Sequence, residues 1–334
     1  MARKPPLRSK TKSNRAARAK GPRRKERKPA ARVQPNRTPA KTIRPAEFPK
    51  SRPPTRVESP PTAPIEAGPT ASAPVLVATH AVDGGRILQI TINRPKVHNA
   101  VNGEAAGLLL DAWRQFRDDD SLTVAVLHGA GEQAFCSGAD LAGLEELAKV
   151  GAVVDRGATM GNGPMGGSRL VQMKPVITVS QGYTYAGGLE LFCHGHIRLA
   201  EPQATFSVAC RRWGVPLVDG GTVYLPRLLG WGSALPLIIT GQRISAERAS
   251  QIGLVWELTP TDEGFARAMS MARQICQQPR DALLADLRSA LEGSHLPLDA
   301  ALELESRNLT PVMHSESTRQ GVEAFLQGKR FWFT

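Results

Sequence analysis

The chain has 334 residues, room for two average domains, and a formal net charge of +13. Residues 1–60 hold 20 Lys and Arg against Glu26, Glu47 and Glu58, a balance of +17, so the remainder sums to −4 and the basicity belongs to the N-terminal stretch alone. Four cysteines (Cys136, Cys193, Cys210, Cys276) without C-x-x-C spacing argue against a disulfide framework and a zinc site, and no run of about 18 apolar residues argues for a membrane span.

Fifteen of the 26 prolines precede residue 75, and Phe48 is the sole aromatic residue there, so this stretch cannot bury enough apolar surface to offset its chain entropy. Residues 1–75 are expected to be a disordered basic tail. Its run Arg23-Arg24-Lys25-Glu26-Arg27-Lys28 permits three readings: a nuclear or nucleic-acid-binding arm through residues 1–60, an organelle targeting segment, or solvated low-complexity sequence. It is rich in Lys and Pro rather than amphipathic, and fits no single targeting class.

From residue 76 the pattern is mixed α/β. Arg86 to Asn93 alternates as a strand does, and Asn102 to Phe116 reads as a helix burying Leu108, Leu109, Ala112, Trp113 and Phe116. Thr123 to His128 is a buried strand feeding the corner Phe135-Cys136-Ser137-Gly138-Ala139-Asp140-Leu141. Lys174 to Val179 is another, feeding Gly182 to Glu190. Between them, Gly151 to Gly167 is glycine-rich and aperiodic. After residue 223 helices are expected at about 231–240, 245–252, 264–277, 280–293, 297–309 and 315–327.

Glycine at the two corners permits close approach and leaves the N–H groups of Ala139 and Gly187 free to point at a ligand. Two such donors meeting at a thioester carbonyl would stabilise an enolate. Spacing alone is equally consistent with two tight strand-to-helix turns.

The order of several motifs narrows the choice. Ile92-Asn93-Arg94-Pro95-Lys96 with Asn99-Ala100, the two corners, Lys174-Pro175-Val176-Ile177, Gly220-Gly221-Thr222, Leu225 to Gly230 and Leu237 to Ala246 together resemble the enoyl-CoA hydratase/isomerase (crotonase) family over about residues 85–260. The resemblance implies an α/β fold, a crotonase-like spiral of ββα repeats over 76–260. A C-terminal helical region over 261–334 would build trimers, often paired into hexamers. It implies an acyl-CoA thioester substrate that brings coenzyme A with it, no separate cofactor and no metal.

Carried over by position, Ala139 and Gly187 would form the oxyanion hole, and Glu190 matches the first catalytic glutamate of the hydratases. Ala139, Asp140, Leu141 and Ala142 would border coenzyme A. Lys96 and Arg94, with Lys329 and Arg330 near the C-terminus, would meet its phosphates. Where the hydratases carry their second glutamate this chain has Cys210, whose ordinary thiol pKa of about 8.5 suits pocket lining better than proton transfer. Asp219, just before Gly220-Gly221, stands where some isomerases of the family carry a catalytic aspartate; it could instead cap a helix over Thr222 to Leu229. The stretch 151–167 lies where the family keeps a mobile loop over the acyl pocket, or is unstructured.

Three functions remain open: an acyl-CoA enzyme, a nucleic-acid-binding protein using the basic tail, as AU-rich-RNA-binding relatives do, and a partner-binding scaffold of the chromatin-corepressor kind.

Overall fold

The computed structural model describes residues 72–155 and 160–328. Expectations about residues 1–71, and about Lys329 and Arg330, lie outside them.

Strands β1 (Val75–Val82) and β2 (Gly85–Ile92) form a hairpin closed by Asp83 and Gly84, with Val82 opposite Gly85 and Val75 opposite Ile92. A two-residue Asp-Gly connection needs positive φ, and Gly84 has φ 84°. β1 is absent from the sequence expectations. Helix α1 (Gly103–Asp118) starts where Asn102 accepts a hydrogen bond from Ala105 N at 3.0 Å, and buries Leu109, Ala112, Trp113 and Phe116, while Leu108 is only partly covered.

Strand β3 (Leu122–Gly129) leads to β4 (Ala134–Cys136) and helix α2 (Leu144–Ala152). The unit recurs as β5 (Val176–Ser180), β6 (Tyr183–Tyr185) and helix α3 (Gly187–Cys193). Then come β7 (Ile197–Ala200), β8 (Thr205–Ser207), helix α4 (Gly221–Thr240), β9 (Ile244–Ser245), helix α5 (Ala246–Gln251) and β10 (Glu257–Leu258). Four helices finish the described chain: α6 (Gly264–Cys276), α7 (Arg280–Gly293), α8 (Leu298–Met313) and α9 (Glu316–Leu326).

From β3 to β8 the chain alternates between two sheets. One is six-stranded, ordered β1-β2-β3-β5-β7-β10, and the other four-stranded, ordered β4-β6-β8-β9. The period of two along a strand divides the buried side chains of the larger sheet between two cores. Val124 and Val126 face α6 with Ile87, Ile177 and Leu199, whereas Ala125 and Leu127 face α1 with Leu88 and Ile90. Because β4 and β6 are parallel neighbours, the corners that follow them lie side by side.

Helix α4 is, by length and composition, apolar enough to cross a membrane. It is broken at Gly230, whose φ 70° and ψ 162° are not helical, so neither half reaches the roughly 30 Å of a bilayer core at about 1.5 Å per residue. Its outer side exposes Val223, Trp231 and Ile239. Helices α7, α8 and α9 bury no residue completely and expose Leu298, Leu302, Met313, Phe325 and Leu326.

Candidate active site

The corner after β4 turns at Gly138, whose φ of 107° suits glycine alone, and a Cβ there would stand 2.9 Å from Ala186 Cβ and 3.2 Å from Gly187 N. The corner after β6 turns at Ala186, a non-glycine residue held at φ 52° and ψ −124°. That backbone conformation is strained for an L-residue and is kept by its surroundings. Ala186 N donates to Ser207 O at 2.9 Å, and Ala186 O accepts from Leu189 N and Glu190 N. Among the described residues the backbone N–H groups of Ala139 and Gly187 donate to no protein acceptor.

Three rings from different elements support this corner. Phe192 on α3 meets Phe135 of β4 at 5.8 Å and Phe206 of β8 at 5.1 Å between centroids. Such pairs add about 0.5–1.5 kcal/mol each beyond burial, and here they fasten α3, which carries Glu190, to the smaller sheet.

Glu190 lies in the first turn of α3 and is 3% exposed. Its Oε1 accepts from the backbone N–H groups of Asp219 at 2.9 Å and Gly221 at 2.7 Å. Asp219 is 2% exposed, and its Oδ1 accepts from Met165 N at 2.9 Å and from the Ser168 hydroxyl. The alternative of a helix cap is not what its side chain does: α4 begins after Gly220 with no side-chain cap. Burial, and then the charge of Asp219, push the Glu190 carboxyl up to about 8. Burial also raises Asp219, against the lowering effect of the Ser168 hydroxyl, the Met165 amide and the nearby Arg169. The charge of Asp219 thus adds to burial in keeping the proton on Glu190.

Both acids face a cavity of about 120 Å³ that Ala139, Leu141, Gly187 and Cys210 also line. Burial and the neighbouring Glu190 raise the Cys210 thiol, which keeps it from being a thiolate at neutral pH. Around the mouth stand Trp213, Leu141 and Val218, exposed by 73%, 48% and 37%.

The remaining expected residues are not in this cavity. Asp140 and Ala142 line a more open depression of about 410 Å³ beside α2, and Lys96 lines another beside Gln133 and Ala134. Arg94 is engaged within the protein, 3.1 Å from Asp140 Oδ2 and 2.5 Å from Ala100 O. Among the described residues no three His, Cys, Asp or Glu side chains are grouped to hold a metal ion.

Sequence reasoning missed Met165, Ser168 and Trp213. The expectation for 151–167 was a mobile cover or an unstructured stretch; residues 156–159 of it lie outside the described residues, and in the described part Asn162, Gly163, Met165, Gly166 and Gly167 are buried, as is Ser168 just beyond. The repeated glycines were the available signal: they let the backbone lie close to α1 and to Asp219.

The profile of the enoyl-CoA hydratase/isomerase family matches residues 83–334. The chain belongs to that family. It is 29% identical over 250 residues to an enoyl-CoA hydratase of Mycobacterium tuberculosis, covering 73% of this chain and 91% of that protein. It is 30% identical over 256 residues to a carnitinyl-CoA dehydratase of Salmonella typhi, covering 74% and 95%. The crystal structure of an enoyl-CoA hydratase from Mycobacterium tuberculosis superposes with a TM-score of 0.69 at 32% identity, over 79% of this chain and 99% of that one. The crotonase fold of the enoyl-CoA hydratase/isomerase family thus accounts for the successive pairs β3-β4, β5-β6 and β7-β8, each placing one strand in each sheet and each followed by a helix.

Proposed function

We propose that this protein is an acyl-CoA enzyme that moves protons on an enoyl-CoA thioester through an enolate. The observation that carries the reading is the buried pair Glu190 and Asp219 in one cavity with the two unengaged amides of Ala139 and Gly187. Those amides receive the thioester oxygen as negative charge develops on it. The Asp219 carboxylate removes a proton, from the γ-carbon in isomerisation or from a water adding to the β-carbon in hydration. Electrons then move onto the thioester oxygen, and Glu190, protonated at neutral pH, returns a proton to the α-carbon as the enolate collapses. Coenzyme A arrives as part of the substrate, bordered by Lys96 and by Ala139 to Ala142.

The exposed apolar residues of α4 and of α7 to α9 favour a homotrimer or hexamer, since apolar area of that extent on a monomer ordinarily marks an interface. Sedimentation at working concentration tests it.

The test of the activity is incubation of the full chain, parent and Glu190→Gln, with enoyl-CoA thioesters of graded length in D₂O. Water addition identifies a hydratase, and deuterium uptake without it an isomerase. If neither occurs with any thioester, the enzyme reading fails.

A second reading, binding of nucleic acid, is favoured by the balance of +17 on residues 1–60. It requires affinity that falls steeply with salt and is lost when those residues are removed.

A further inference from the structure

Asp219 does not reach its place through its own loop alone. The segment Gly163 to Ser168, more than fifty residues earlier, supplies both hydrogen bonds to its carboxylate, from Met165 N and the Ser168 hydroxyl. Both bonds fall on Oδ1, and both bonds to Glu190 fall on Oε1. An oxygen already accepting from two donors has little capacity left to carry a proton.

The segment is shaped to hold this position. Gly163 has φ 91°, and a Cβ there would stand 2.2 Å from Ser168 Oγ and 3.0 Å from Asp219 Oδ1. Gly166 N donates to Gly163 O at 3.1 Å and Arg169 N to Asn162 O at 3.0 Å, which closes the loop. Ser168 is 1% exposed, so its hydroxyl has no access to bulk water. The same segment reaches the other corner, because the Met165 side chain packs so closely on Gly187 that a Cβ there would lie 2.8 Å from its Sδ.

We propose that Gly163 to Ser168 is a positioning clamp for the acid/base pair, fixing Oδ1 of Asp219 so that protons pass to and from substrate through Oδ2 of Asp219 and Oε2 of Glu190. Ser168 is a positioning residue: it touches Asp219, not the reacting carbons. The inference rests on the acid/base roles proposed above for Glu190 and Asp219. Proton balance is unchanged by it: the proton that Oδ2 takes from carbon or water is matched by the one that Oε2–H delivers.

The charged and titratable groups facing Asp219 are Glu190 from α3, Arg169 just beyond the clamp and Cys136 from β4. Losing the Ser168 donor removes stabilisation of the carboxylate while those neighbours stay, so the Asp219 pKa rises. A hydrogen bond to a charged group corresponds to about one to two pH units.

The experiment uses the full chain and two variants, Ser168→Ala, which deletes the donor, and Gly163→Ala, which pushes it aside. Infrared titration of the carboxyl bands, with Asp219→Asn as the difference reference, reads the Asp219 midpoint without any turnover. The pH dependence of kcat/KM is measured with crotonyl-CoA or with trans-2-decenoyl-CoA, whichever the parent turns over. We expect the midpoint and the rate limb that Asp219→Asn abolishes to move up together by about one to two units in both variants, with kcat lowered and KM little changed. If either variant keeps its cooperative unfolding and neither midpoint nor limb moves, the clamp is overturned. If the midpoint moves and the limb does not, the clamp stands and the catalytic assignment of Asp219 fails.

Discussion

The Glu190 carboxyl group accepts a hydrogen bond from the backbone N–H of Asp219 at 2.9 Å, so the side chain of one acid is anchored on the main chain of the other. Displacing either therefore displaces both. Glu190→Gln and Asp219→Asn are each expected to lower kcat/KM by about a hundredfold or more, the ordinary contribution of a positioned acid or base. Their double variant should lose much less than the product of the single losses, because the two act as a unit. Steady-state kinetics of the three proteins check this, and full additivity would separate the two roles.

Burial raises the Glu190 carboxyl from an ordinary value near 4.5 to about 8. Between those values the folded protein keeps a proton that the unfolded chain has released. Stability therefore falls as pH rises through that window, and the stabilising contribution is fully present only below about 4.5. Glu190→Gln removes the dependence. Thermal unfolding at pH 5 and at pH 9 should show the variant gaining on the parent at the higher pH, and a constant difference in Tm would count against the raised pKa.

Trp213 is 73% exposed at the mouth of a cavity of about 120 Å³. A space of that size holds a small acyl group, comparable to the cavities of about 150 Å³ that take up benzene. Longer chains must leave it across the indole. Trp213→Ala is expected to lower kcat/KM for decenoyl-CoA by roughly tenfold, from the lost apolar contact, and to leave crotonyl-CoA almost unaffected. Equal losses on both thioesters would show that the chain takes another route.

Gly188 lies against β4, where a Cβ would stand 2.1 Å from the backbone oxygen of Cys136. Backbone cannot yield as a side chain does, so Gly188→Ala must move α3 away from β4. A destabilisation of about 1–3 kcal/mol is expected, read from denaturant unfolding, with loss of turnover alongside it. A variant of parental stability would mean that the corner is looser than its contacts indicate.

Much of the fold was legible because it depends on local pattern. Buried strands such as Thr123 to His128 show as β-branched runs, and α6 and α7 are separated by Pro279, so their ranges agree with expectation within one or two residues. β1 was missed because its alternation begins at Val75, directly after the proline-rich stretch. α4 was expected as a helix over 231–240 and an optional one before it; the chain makes both, bent at Gly230.

The sequence by itself determined the two glycine corners and the order of motifs that marks the family, since each is a matter of residue type and short spacing. Only the tertiary structure decided what Asp219 does. Its donors lie 51 and 54 residues earlier and the carboxyl group it anchors 29 residues earlier, and hydrogen bonds over such separations leave no periodic trace. Glu190 and Asp219 meet because β6 and β8 are parallel neighbours, so the segments that follow them lie at the same end of the smaller sheet.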